Sequence, residues 1–128
     1  MTNIYKFFHK IGFFDFTRSM YKNKRSLSLL LHGTYGEIYD SKYRNLHYGL
    51  HVNELDQILH WIKKENIPFL NSEEYLEKKP GIHITLDDGY SNNYNHGLPL
   101  FEKYEVPVSI YISTRHMPER PDFKVLDH

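Results

Sequence analysis

The chain has 128 residues, room for one small domain and too few for two of ordinary size. Hydrophobic residues make up 40% and charged residues 25%, a globular balance, and 16 Lys plus Arg are matched by 16 Asp plus Glu. That zero balance gives no support to a nucleic-acid or anionic-membrane surface. With no cysteine, disulfides and thiolate zinc sites are excluded, so any metal must be held by His, Asp or Glu.

Residues 1–25 are aromatic and basic, with Phe7, Phe8, Phe13, Phe14 and Phe16 among Lys6, Lys10, Arg18, Lys22, Lys24 and Arg25. His9, Lys10, Asp15 and Arg18 interrupt every apolar stretch, which predicts neither an export signal nor a transmembrane span and points to the cytoplasm. The segment reads as an amphipathic helix packed on the domain's own body, with peripheral membrane docking as the alternative. It is separated here from a second unit, residues 26–128.

Ser26 to His32 is an apolar run of strand length, and Gly33 to Gly49, rich in Gly, Tyr, Asp and Asn, reads as a long loop. Asn53 is a candidate cap for a helix running to about Glu65, with Leu55, Ile58, Leu59 and Ile62 at helical spacing. Ile67 to Leu70 is a brief extended piece, and Ser72 opens a short helix with acidic residues in its first turn. Lys79-Pro80-Gly81 is a turn. A strand follows over 82–86, then a polar stretch to Asn93, then a helix over about 94–104 that Pro99 should kink or restart. Val106 to Ser113 is β-branched and aromatic, a further strand. Residues 114–128 are polar, with Pro118 and Pro121 and no clear period. Alternating strands and helices imply parallel strands with crossover helices.

The densest chemistry is Ile82-His83-Ile84-Thr85-Leu86-Asp87-Asp88-Gly89-Tyr90, an apolar strand ending in two carboxylates and a glycine. Asp-Gly commonly makes a hairpin turn, but a helical pattern follows here instead of a second strand. Parallel α/β folds present catalytic groups at such strand tips. In an extended chain Asp87 and Asp88 would face opposite ways, and Gly89 lets the backbone turn so that both converge. One carboxylate could then hold a divalent cation and the other accept a proton from a metal-activated water.

From about Leu27 to Thr114 the chain resembles the polysaccharide deacetylase family, the domain shared with NodB chitooligosaccharide deacetylases. Leu29-Leu30-Leu31-His32 looks like its opening strand. Val52 to Leu55 with Leu59 to Ile62 looks like its first helix. Thr85 to Tyr90 resembles the Thr-Phe-Asp-Asp-Gly signature, with Leu86 in place of phenylalanine. Asn93-Tyr94, Leu98 to Phe101 and Lys103-Tyr104 look like the helix after it, and Pro107 to Thr114 like the next strand. The resemblance implies the N-terminal portion of a distorted (β/α) barrel, α/β in class. It also implies removal of acetyl groups from an N-acetylated carbohydrate, with Asp87 as general base, Asp88 as ligand of zinc or a similar divalent metal, and His32 and Tyr90 lining the site.

The family's other two metal ligands are histidines spaced His-x-x-x-His downstream. Here His116 and His128 do not form that motif. His47 and His51 have the spacing but precede the aspartates, with Gly49 between them, and read as loop residues. His83 reads as a packed strand residue. Three or four strands leave a barrel open. The expectation is therefore a partial deacetylase domain, completed by further C-terminal sequence or by a complementing fragment. The alternatives are an inactive remnant or interaction module, and a nucleotide-sugar glycosyltransferase. The latter usually follows Asp-Asp-Gly with serine, where this chain has Tyr90.

Overall fold

The computed structural model describes residues 12–36 and 49–113, together with Lys6 and His9. Helix α1 (Phe13–Lys22) buries Phe14 and Thr17. Strands β1 (Ser26–Leu31), β2 (Gly33–Tyr35) and β3 (Gly49–His51) precede helix α2 (Val52–Lys64). Then come β4 (Phe69–Leu70), helix α3 (Ser72–Leu76) and β5 (Gly81–Leu86). A π-helical turn, Asn93–Gly97, runs into helix α4 (Leu98–Lys103), and β6 (Val108–Ile110) follows.

The main sheet is built on β5, and every pairing in it is parallel, as the alternation of strands and helices predicts. β1 pairs along the whole strand, from Ser26 opposite Gly81 to Leu31 opposite Leu86. β4 and β6 divide the other edge. Phe69 and Leu70 pair with Ile82 and His83, while Val108 to Ile110 pair with Ile84 to Leu86. A second, two-stranded parallel sheet joins β2 to β3. The expected loop over 33–49 thus carries a short strand at each end. Three-residue strands rich in Gly and Tyr show too few alternations to be read from sequence.

The core lies between this sheet and α2. Leu55, Ile58, Leu59 and Ile62 form the buried stripe of α2, the four positions that the helical spacing marks. They meet Ile82, Ile84 and Leu86 of β5, all 1% exposed. Leu27, Leu29 and Leu31 of β1 pack on the same cluster. Burying each such side chain contributes about 1.5–3 kcal/mol, so this layer holds β5 rigidly where its tip emerges.

Helix α1 docks on α2. The Phe14 and Trp61 rings stand 4.6 Å apart, and the Arg18 guanidinium makes two 2.8 Å bonds to the Glu65 carboxylate. Over Phe13–Lys22 the amphipathic face therefore packs on the chain's own body, while most of residues 1–11 lie outside the described residues. None of the described helices is long and apolar enough to cross a membrane.

Two caps differ from expectation. α2 is capped by His51, whose Nδ1 accepts from the Asn53 backbone N–H at 3.2 Å while Glu54 reaches back to the His51 N–H. α3 is capped by Asn71 paired with Glu74, which puts Ser72 inside the helix. Each capping box sits one or two residues upstream of the residue predicted. The helix expected over 94–104 restarts at Leu98, with Pro99 in its first turn, where a missing N–H costs nothing. β6 is shorter than the run 106–113.

Candidate active site at the tip of the central strand

All six residues of β5 are buried. Its even-numbered residues enter the core, so alternation puts His83, Thr85 and then Asp87 on the opposite face. The ladder continues past the strand end, because the Asp87 N–H donates to the Leu31 carbonyl at 2.8 Å. On the other side the Tyr111 N–H donates to the Leu86 carbonyl, also at 2.8 Å. Extending the two registers one step places His32, Asp87 and Tyr111 in a row across the C-terminal ends of β1, β5 and β6.

The backbone reverses directly after Asp87. Asp88 has φ 69° and Gly89 φ 72°, two successive left-handed residues. Glycine adopts that region freely, and aspartate tolerates it better than most L residues. The turn predicted at Gly89 thus begins one residue earlier. Asp88 emerges with its side chain 43% exposed, and its Oδ2 lies 4.0 Å from His32 Nε2. Tyr90 closes the turn. Its phenol is hydrogen-bonded to Asp88, and its pKa is pushed above the usual tyrosine value, first by burial and then by the Asp88 charge and that hydrogen bond. Of the four predicted site residues, the structure thus brings His32, Asp88 and Tyr90 into one cluster, with Asp87 at its inner side.

Asn93 braces this cluster and carries a role the sequence did not suggest. It is 4% exposed, and its amide nitrogen donates to the His32 carbonyl at 2.8 Å. Its carbonyl oxygen accepts from the buried Thr34 hydroxyl at 3.2 Å. Asn93 opens the π-helical turn, an irregularity frequent at functional sites. Gly97, at the end of that turn, lies so close to Thr34 that an added Cβ would stand 3.0 Å from its hydroxyl.

The other histidines are accounted for separately. His83 is 2% exposed, bonds Ser109 Oγ through Nε2 at 2.8 Å and stacks on Tyr75, a packed strand residue as expected. Its buried Nδ1 has no hydrogen-bond partner among the described residues, and burial lowers its pKa. His51 serves as a helix cap. His47, His116 and His128 lie outside the described residues.

The fit to a metal is partial. Asp88 and His32 offer one carboxylate and one imidazole, and no group of three His, Asp or Glu side chains is arranged to hold a metal ion among the described residues. A catalytic zinc takes three protein ligands, so these two do not constitute a metal centre by themselves.

Comparison with known proteins finds likeness over the stretch that contains this strand tip. Residues 75–124 match the polysaccharide deacetylase family. The stretch holds the whole of β5, both carboxylates and the π-helical turn. The chain is 29% identical over 87 residues to the poly-β-1,6-N-acetyl-D-glucosamine N-deacetylases of Staphylococcus aureus strains MSSA476 and MRSA252. That match covers 62% of this chain and 30% of each relative. The fold is similar to the Streptococcus pyogenes deacetylase PplD in complex with acetate, with a TM-score of 0.61 at 22% identity, over 70% of this chain and 43% of that one. It is also similar to a de-N-acetylase from Aggregatibacter actinomycetemcomitans, with a TM-score of 0.60 at 14% identity, over 79% and 45%. The chain spans about 30% of the length of the curated relatives it matches. The fold is thus α/β with parallel strands, similar to that of these two deacetylases, and no closed barrel is present among the described residues.

Proposed function

We propose that residues 26–128 form part of a polysaccharide deacetylase domain, preceded by the segment 1–25, and that the site hydrolyses an acetamido group on a carbohydrate. The observation that carries this reading is the pair of carboxylates at the tip of β5, inside the family match. Asp87 is the general base. Its carboxylate, half-buried on a rigid strand, removes a proton from water as the water oxygen bonds to the acetyl carbon. Collapse of that adduct breaks the C–N bond as the proton held by Asp87 passes to the departing nitrogen, giving acetate and the free sugar amine. Tyr90 and Asn93 hold the turn and the β1 tip around it. Asp88 is the ligand proposed for a divalent metal, zinc by family analogy, which would polarise the acetyl carbonyl. The remaining ligands would come from outside the described residues or from a complementing C-terminal fragment.

The test is acetate release from a β-1,6-linked N-acetylglucosamine oligomer by the chain with zinc present, before and after Asp87→Asn. Loss of a general base costs about a hundredfold or more, and full activity in Asp87→Asn would remove Asp87 from this role. One observation favours a second reading, a non-catalytic binding module: the described donors number two where a catalytic zinc needs three. Stoichiometric zinc binding abolished by Asp88→Ala would count against that reading.

A further inference from the structure

We propose that Tyr111 is the platform on which the substrate's sugar ring rests beside Asp87. The identity of the ligand rests on the deacetylase reading above, and the position of Tyr111 rests on the sheet alone. β6 follows β5 in register from Ile84–Val108 to Leu86–Ile110, and the Tyr111 N–H bond to the Leu86 carbonyl carries the ladder one step further. The next pair is Asp87 with Tyr111. Alternation sends both side chains to the same face, from neighbouring strands about 4.8 Å apart.

The backbone of Tyr111 is anchored while its ring is open. Ile112, the next residue, packs against the Gly89 turn, where an added Cβ would stand 3.5 Å from its side-chain carbons. Tyr111 is nevertheless 57% exposed. An aromatic side chain fixed at its main chain has only two torsions to order on contact, so it offers a large surface at low entropic cost. The surroundings select the ligand. A purely apolar partner laid on Tyr111 would also cover Asp87 and Asp88 and strip them of water without giving hydrogen bonds in return, which opposes binding. A sugar brings C–H groups on its face for the ring and hydroxyls at its edge for the carboxylates. The phenol OH adds a polar tip of the kind that suits a half-wet site.

The experiment titrates the full chain with an N-acetylglucosamine oligomer and follows binding by NMR, in parallel with thermal unfolding. In Tyr111→Ala, binding should weaken by about tenfold or more, the size of one aromatic stacking contact, with the unfolding midpoint unchanged. Tyr111→Phe and Tyr111→Trp should bind within about threefold of the parent. Where acetate release is measurable, Tyr111→Ala should raise KM far more than it lowers kcat, since a platform holds ground state and transition state alike. Unchanged binding in Tyr111→Ala overturns the proposal. So does a fall in stability matching the fall in binding, which would make Tyr111 a packing residue, and so does a parent chain that does not bind the oligomer. A parent that binds the oligomer but releases no acetate would refute the hydrolase reading and leave the platform standing.

Discussion

Acidification should destabilise this protein through His83. The imidazole is 2% exposed, its Nε2 bonds Ser109 and its buried Nδ1 has no partner among the described residues, so a second ring proton would be buried without an acceptor there. Burial accordingly lowers its pKa from 6.5. The unfolded chain takes up this proton as the pH falls through that value, and the folded chain takes it up only at lower pH. Between the two, the unfolded state holds more protons, so stability falls as pH falls and levels off below the folded pKa. One proton sets a limiting slope of about 1.4 kcal/mol per pH unit. Integrated from the ordinary histidine value down one unit, to about pH 5.5, the loss is at most about 1 kcal/mol, the limit in which the folded ring takes up no proton. Urea unfolding of the parent and of His83→Gln at several pH values isolates the effect, because other titrating groups cancel in the difference. Parallel stability curves for the two proteins would refute the reasoning. So would a ring titration by NMR with its midpoint at or above 6.5.

Two further predictions concern the supports of the site. Phe14→Ala should destabilise by about 3 kcal/mol, since Phe14 is 6% exposed against Trp61; a loss under about 0.5 kcal/mol in a denaturant titration would mean that α1 is not part of the cooperative unit. Asn93→Leu should cost about 2–3 kcal/mol by leaving the His32 carbonyl and the Thr34 hydroxyl without their partner, and Thr34→Val about 1 kcal/mol. Amide exchange should then quicken around His32 and Asp88 in Asn93→Leu, while unaltered exchange would show that the amide does not brace the tip.

The long signals in this sequence were readable because they repeat. The stripe Leu55, Ile58, Leu59 and Ile62 repeats at 3.6 residues, and all four residues are buried. Ile82, Ile84 and Leu86 repeat at two, and all face the core. The carboxylate pair was readable as a break in that pattern. What escaped depended on contacts between distant segments. Asn93 looks like any polar residue after a turn until Thr34 and His32 arrive from the far side of the fold. Tyr111 looks like any strand aromatic until the register puts it beside Asp87. His51 reads as a loop residue because Gly49 separates it from His47, and its capping role depends on the strand β3 that delivers it.

The shared edge of β5 has a consequence for how this strand tolerates change. Its base is clasped by β4 and its tip by β6, two segments separated by α3, β5 itself and α4. The two clasps are tied to each other, since Ser109 of β6 bonds both His83 of β5 and the Ser72 hydroxyl just after β4. A shift at the base, where Leu70 is itself buried, is therefore felt at the tip. The strand behaves as a spine whose two fasteners are laced together, and the geometry of the carboxylates depends on both.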